Sequence, residues 1–536
     1  MDKNVLREVV RKHGLFIVLF VLYLFWLLPG VFPLYSYEGD ALSIAWGCEH
    51  ALRTGEPYWE LDSYGYWMQP LIYHLICFVA RVMPWASCEA IYSGLTAAFA
   101  IATICLILAF AHKLSGIGLT KLLIALYLFP EAAALAFYPN SAVFVLVFFI
   151  VGLLLTLYRR VWAACVLFCI APLFRLDILY MYPLIVLLNV YVFGLCRKSV
   201  VVSLADALLV GAVTFIGYYL LHADILYTLS EFDRWSDVIT LRQNLIAILG
   251  FYTLLNFLLV PTGLCLLYRS GKRYLFWLIV TGIVIVHFIN RDFGNASKHY
   301  CYLLPLYVVA VGAVMDWLWS IRNTRRWLTV GAATLIILFN VISVSMCPNS
   351  NWPIDYISLK KHRFVKDAFN LQVLGLDFEI GLGGGRDVVT ADEIILLTGN
   401  LFYPGFIHNV KEDDCRNADA ADKFVENLDD DEKICLIGWE NSQRLFISYL
   451  NRLPVANPWN EMIDLSVEKP LSDKDLSFMK ANLRDALSAG AAQYPDKKLY
   501  VCSPATICFR YTYLLDLLAR EGVLLKVGKQ IYLYQR

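Results

Sequence analysis

The sequence predicts an α-helical, multispanning membrane protein that ends in a small extracytoplasmic α/β domain. Three observations predict it. The 536-residue chain is 59% hydrophobic and 17% charged, with a mean hydropathy of +0.58, far more apolar than an ordinary soluble domain. Apolar runs near the length that crosses a bilayer recur from residue 14 to residue 346, with basic clusters in the short loops between them. Past Cys347 the composition turns mixed and charged, and strand-like runs alternate with helical patterns.

The chain opens on Lys3, Arg7, Arg11 and Lys12, which by the positive-inside tendency place the N-terminus in the cytoplasm. The first span, 14–33, then leads outward. No small-residue cleavage site follows it, so it is expected to remain as an uncleaved anchor. The apolar run 70–84 is read differently from the others. If it crossed, the basic groups at Arg159-Arg160, Arg197-Lys198, Arg269 to Arg273 and Arg322 to Arg326 would all lie outside, against the rule. It is interrupted by His74 and Arg81, stops at Pro84 and is short of the roughly twenty residues a span needs, so it reads as a helix along the outer interface. The remaining runs alternate correctly as about eleven spans: 14–33, 90–111, 119–137, 141–158, 160–174, 178–196, 203–221, 244–268, 274–290, 301–320 and 327–346.

This divides the chain into a transmembrane module, 1–346, whose first external loop is 34–89, and an extracytoplasmic α/β domain, 347–536. In the latter, Asp392 to Thr398, Lys433 to Trp439 and Lys498 to Cys502 are strand-like, while Ser442 to Arg452 and Tyr511 to Arg520 are helix-like. Val523 to Val527 and Gln530 to Tyr534, on either side of Gly528-Lys529, read as a closing hairpin. Gly381 to Gly385 lacks the spacing of a phosphate-binding loop and is read as a flexible turn, and the acidic runs 412–414 and 429–432 as solvated surface.

The outer face collects residues 34–89, the turn Tyr138-Pro139-Asn140-Ser141, the turn Arg175-Leu176-Asp177, residues 222–243, residues 291–300 and everything past 347. An external active site must come from these. Glu38 and Asp40 follow the first span directly. Ionised carboxylates are costly near hydrocarbon, so acids placed there are solvated, paired or functional. Asp40 also precedes the apolar-periodic run Ala41 to Leu52 and is an N-cap candidate. The two roles are compatible, because a cap aims the carboxylate and leaves one oxygen free. Net charge is zero, with 45 basic and 45 acidic residues, so no overall field attracts nucleic acid.

After Asp40 come Thr54-Gly55-Glu56-Pro57-Tyr58, the aromatic residues Trp59, Tyr64, Tyr66 and Trp67, and Gln69-Pro70-Leu71-Ile72-Tyr73. The order of a loop acid, a helix ending in Thr-Gly-x-Pro-Tyr and an interfacial Pro-Leu-x-Tyr helix resembles the first external loop of GT-C glycosyltransferases, multispanning enzymes that use polyprenyl-phosphate-linked sugars. Tyr138-Pro-Asn-Ser141, Phe174-Arg-Leu-Asp-Ile178 and Ser297-Lys-His-Tyr-Cys-Tyr-Leu-Leu-Pro305 are similar to corresponding places in the GPI and dolichol-pathway mannosyltransferase branch and its protein mannosyltransferase-like relatives. The resemblance covers residues 14 to 346. Many members carry Asp-Glu at the loop acid, whereas this chain has Asp40-Ala41 with Glu38 two residues earlier, so both acids stay candidates.

What the resemblance implies is inverting transfer of a hexose, mannose in that branch, from a polyprenyl-phosphate donor to a glycan, lipid or protein acceptor outside the membrane. The membrane would be the bacterial inner membrane or the endoplasmic reticulum. Asp40 would act as general base on the acceptor hydroxyl, with Glu38 as second acid. The leaving phosphate needs positive partners. Candidates are Lys298 and His299, which coincide with the family's basic element, then Arg291, Arg175 and Arg242; Arg175 has Asp177, and Arg291 has Asp292, as alternative partners. Tyr58, Trp59, Tyr66 and Glu131 are candidate cavity or acceptor residues, as is His74, whose position favours the interface. No cofactor is expected, a divalent ion on the loop acid being the alternative to proton abstraction. Fourteen cysteines show no zinc-type spacing, and the odd number beyond residue 346 cannot be fully paired. Two other classes share the apolar pattern. One is a ligase or polymerase of lipid-linked glycans; the other is a transporter or flippase, for which paired inverted repeats would be expected.

Overall fold

In the helical part, the computed structural model describes residues 3–35, 39–55, 57, 69–137, 139–226, 228–229, 258–293, 301–321, 327 and 331. Beyond these it describes 342–345, 363–366, 368–373, 376–381, 387–390, 408, 411–412, 415–416, 423, 434–437, 480–481, 484–485, 487–489, 491–492, 495, 498–502, 509–528 and 531–536.

Helix α1, Lys3–Val31, is followed by α2, Gly39–Thr54, and α3, Pro70–Val82. Gly55 follows α2 with φ of 80°, a left-handed stop that a side chain would resist. Thr54 donates its hydroxyl back to the His50 carbonyl at 2.9 Å, so the Thr-Gly pair terminates α2 as its sequence implies. Helix α3 has 13 residues, about 20 Å, too short for a bilayer core of roughly 30 Å. It buries Ile72, Tyr73, Ile76, Cys77 and Ala80 against α2 and its neighbours and exposes Phe78 and Val82, as an interfacial helix would.

Then come α4, Cys88–Ser115, α5, Leu119–Tyr127, and α6, Pro130–Phe137. Ser87 caps α4 by accepting from the Ala90 amide at 3.1 Å, and Gly116 closes it at φ of 75°. One correction falls here: the expected single span 119–137 is two helices. Pro130 has no amide to continue α5 and instead starts α6. Helices α7, Ala142–Leu157, and α8, Val161–Phe174, form a hairpin whose close approach is set at Gly152, where a Cβ would collide with the Phe168 ring. A 3-10 turn, Leu176–Met181, leads into α9, Tyr182–Phe193, then α10, Arg197–Leu220, α11, Leu258–Arg269, α12, Arg273–Phe293, and α13, Leu304–Ser320.

Five described helical stretches are long and apolar enough to cross a membrane: His13–Val31, Cys88–Ser115, Leu176–Phe193, Arg197–Leu220 and Cys301–Ser320. Ala142–Leu157 and Val161–Phe174 are apolar but shorter. Of the expected last span, 327–346, residues 342–345 are not helical but form a strand.

The bundle is polarised. At one end the basic loops meet: Lys121 pairs with Asp316, Lys272 donates to the Ser115 carbonyl at 2.6 Å, and Arg159 donates to the Val192 carbonyl at 3.5 Å. The direction of each helix then carries Tyr92, Arg175, His222 and Tyr302 to the opposite end. Tyr302 precedes α13 and Asp316 lies in its last turns, 14 residues and so about 21 Å apart along a helical rise. These basic loops therefore share one end of the bundle.

The C-terminal part holds three sheets among the described residues. Strand β1, Ile342–Ser345, pairs antiparallel with β3, Ala368–Val373, which pairs with β4, Leu376–Gly381; β2, Arg363–Lys366, pairs with β5, Asp387–Thr390. The third sheet has β6, Ile434–Ile437, parallel to β7, Lys498–Cys502, then β9, Ile531–Tyr534, and β8, Leu524–Gly528. Helix α14, Phe509–Arg520, lies between β7 and β8 in the chain and packs on β8. The predicted strands at 433–439 and 498–502, the helix at 511–520 and the closing hairpin are all present. The runs Asp392 to Thr398 and Ser442 to Arg452 lie outside the described residues.

Candidate active site

Three sequence strings that lie far apart in the chain converge at the end of the bundle opposite the basic loops. Arg175 follows α8 in extended conformation, and its Nε donates to Asp177 Oδ2 at 2.9 Å. Its Nη1 donates to Ser141 Oγ at 3.5 Å, and the Tyr302 hydroxyl donates to Asp177 Oδ1 at 2.8 Å. All four side chains are buried, Arg175 at 8% and Asp177 at 5% exposure. The turn before α7, the turn after α8 and the start of α13 are thus joined by one carboxylate and one guanidinium. A buried ion pair survives desolvation only when both charges are paired and their remaining donors and acceptors are met, which Ser141 and Tyr302 help to do.

A second chain of contacts ties the first external loop to this hub. Tyr92, near the start of α4, donates its hydroxyl to Gln69 Oε1 at 3.2 Å, and Gln69 immediately precedes α3. The Tyr92 ring faces Phe144 with centroids 6.3 Å apart, and Phe144 stacks on Phe174 at 5.7 Å, next to Arg175. Such aromatic pairs add about 0.5–1.5 kcal/mol each beyond their burial. In the same stretch of α4 the hydroxyls of Ser93 and Thr96 are buried and have no hydrogen-bond partner among the described residues. An unmet buried hydroxyl costs about 1–3 kcal/mol. Gln69 and Tyr302 fall within motifs quoted from the sequence, whereas Tyr92, Ser93 and Thr96 were not singled out there.

Helix α2 begins at Gly39, so Asp40 lies in its first turn, where the helix dipole favours a carboxylate. The side chain of Asp40 lies outside the described residues, as do Glu38, Tyr58, Trp59, Tyr66, Arg242, Lys298 and His299. Glu131 and Arg291 have placed backbones, in the first turn of α6 and near the end of α12, without described side chains. Of the predicted site residues the structure therefore brings Arg175 into the hub, paired with Asp177. His74 is placed beside His222 and Arg81; burial, then those two neighbours, lower its pKa. Among the described residues no three His, Cys, Asp or Glu side chains cluster as metal ligands would.

A disulfide fastens the loop. Cys48 of α2 and Cys77 of α3 are bonded, with Cα atoms 5.4 Å apart. The helix that starts at the loop acid is thereby cross-linked to the helix that starts at Gln69. Replacing both cysteines with Ala is expected to cost about 3–4 kcal/mol, the loop-closure value for a separation of 29 residues. The measurement is thermal unfolding in detergent, and an unchanged midpoint would show that the bond adds nothing to the folded state.

With this geometry in hand, solved structures provide the comparison. The chain superposes on ArnT from Cupriavidus metallidurans bound to undecaprenyl phosphate with a TM-score of 0.55 and 11% identity, covering 97% of this chain and 98% of ArnT. The chain shares the fold of ArnT. Apo ArnT matches at a TM-score of 0.54 and 12% identity, with 98% of each chain covered. The archaeal oligosaccharyltransferase AglB from Archaeoglobus fulgidus, solved with an inhibitory peptide and a dolichol-phosphate, matches at 0.47 and 14%, covering 92% of this chain and 70% of AglB. No family model and no curated protein matches the sequence.

Proposed function

We propose that this chain is an integral membrane glycosyltransferase that moves a hexose, mannose by the motif resemblance, from a polyprenyl-phosphate donor to a glycan, lipid or protein acceptor. The observation that carries the reading is the convergence of Ser141, Arg175, Asp177 and Tyr302 beside the α2–α3 loop in a GT-C fold. ArnT, which shares that fold along nearly its whole length, was crystallised with undecaprenyl phosphate, and a lipid of that class suits a site at the end of an apolar bundle.

The acceptor hydroxyl gives its proton to the Asp40 carboxylate as its oxygen attacks the anomeric carbon. The bond from that carbon to the phosphate oxygen breaks on the opposite face, and polyprenyl phosphate leaves with the bonding electrons. Configuration inverts. Charge grows on the phosphate, where Lys298, His299, Arg291 and Arg242 are the proposed partners. Arg175, committed to Asp177, shapes the floor of the site and takes a share in phosphate binding only through that buried pair. Glu38 assists Asp40, and Tyr58, Trp59, Tyr66, Glu131 and His74 border the acceptor side.

The hub faces the extracytoplasmic side in this reading, the C-terminal portion beyond residue 346 lies there too, and the N-terminus is cytoplasmic. The Cys48–Cys77 bond supports that placement, because disulfides persist in oxidising compartments. The experiment uses purified protein, a radiolabelled polyprenyl-phosphate hexose and the three acceptor classes, with and without a chelator. Transfer of label with release of polyprenyl phosphate is the expected result. Passage of the intact lipid-linked sugar across vesicles without cleavage would identify a transporter instead.

A further inference from the structure

The C-terminal portion reaches back to the first span through one side chain. Lys411 is 1% exposed, and its Nζ donates to the carbonyls of Gly30 at 2.9 Å and Val31 at 3.0 Å, the last two residues of α1. These carbonyls have no partner further along the helix, and the negative end of its dipole lies there, so an amine placed on them meets both needs. His408, one turn earlier, shares a hydrogen bond of 2.7 Å with the Phe32 carbonyl and pairs through Nε2 with Glu412 at 3.2 Å. Cys415, one turn later, packs on the main hydrophobic core. The receiving side is equally close: a Cβ on Gly30 would lie 2.5 Å from the Phe137 ring, the last residue of α6. His408 and Lys411 are therefore seated on the three residues, Gly30 to Phe32, that lead toward Glu38 and Asp40.

We propose that Lys411 is a positioning residue for the reaction, holding the end of α1 so that the chain entering α2 presents its loop acid to the acceptor. This rests on the glycosyltransferase reading for its link to turnover, while the docking itself does not. Burying an amine this completely is expensive, and burial pushes its pKa down to about 7, with Cys415 acting weakly in the opposite direction. A lysine that served only to fill space would be replaced by an apolar side chain at lower cost. Two of its donors are used where only a donor fits.

The test compares full-length parent protein with Lys411→Met, which keeps length and loses the donors, and Lys411→Arg, which keeps donors and charge. Amide hydrogen exchange over residues 28–42 reports the docking, and steady-state transfer from a radiolabelled polyprenyl-phosphate hexose reports the chemistry. Lys411→Met is expected to speed exchange in that segment and to lower kcat by about 10–100-fold with donor KM unchanged, the cost of misplacing a reacting group by about 1 Å. Lys411→Arg should recover most of both. A parent-like kcat, or parent-like exchange, in Lys411→Met overturns the proposal. If Asp40→Asn transfers at the full rate, the catalytic reading of the loop has failed, and the exchange result alone then judges the docking. Should Lys411→Met not fold, reductive methylation of the parent decides: Lys411 must stay unmodified while exposed Lys423 reacts, and equal reactivity overturns it.

Discussion

Replacing Asp40 with Asn is expected to lower sugar transfer by about 10²–10⁴-fold, the range lost when a positioned general base is removed. The amide matches the carboxylate in size and cannot accept the proton of the attacking hydroxyl. Binding of the donor should persist, since the proposed phosphate partners are other residues, so the loss falls on kcat. Glu38→Gln is expected to act in the same direction with a smaller effect. Steady-state transfer by purified protein measures both. Full activity in Asp40→Asn would remove Asp40 from the chemistry, and full activity in Asp40→Asn with loss in Glu38→Gln would move the base to Glu38. The placement of Asp40 in the first turn of α2, ahead of a helix stapled to α3 by Cys48–Cys77, is what makes a fixed carboxylate physically reasonable there.

The second large effect concerns stability at the hub. Asp177→Ala leaves the Arg175 guanidinium buried without its carboxylate and the Tyr302 hydroxyl without its acceptor. Removing one partner of a buried pair costs about 3–5 kcal/mol. Arg175→Met should cost a similar amount, because it strands Asp177. The double variant Arg175→Met/Asp177→Ala removes both charges together and is expected to be less destabilised than the sum of the single variants, since no charge is left unpaired. Thermal unfolding of the four proteins in one detergent gives the cycle. Additive losses would mean that the two side chains act independently, and the hub would no longer be a unit. Because the pair also positions the turns before α7 and α13, the single variants should lose transfer as well as stability.

Much of this architecture was legible from local features. The helix stop at Thr54-Gly55 follows from glycine's access to left-handed backbone, and the start of α3 at Pro70 from proline's preference for a first helical turn. Charge and length alone set 70–84 apart from the expected spans, and the helix found there, Pro70–Val82, has 13 residues with one buried and one exposed face. The split at Pro130 was missed because the run 119–137 is apolar throughout, and hydropathy does not register a lost amide. The pairing of Cys48 with Cys77 was missed for a related reason. Both look like small apolar residues on helix faces, and only the crossing of α2 and α3 brings them together.

By itself, the sequence determined the class of the molecule, the ends of most helices, the closing hairpin and the common side of the motif-bearing turns. Each of these depends on residues close together in the chain, where periodicity, capping and charge act directly. Only the tertiary structure decided that Ser141, Arg175, Asp177 and Tyr302 form one buried network, that Gln69 meets Tyr92, and that Lys411 closes the end of α1. Those contacts join residues brought together by helix packing, and whether a charged side chain is paired, solvated or buried is set by which neighbours that packing supplies.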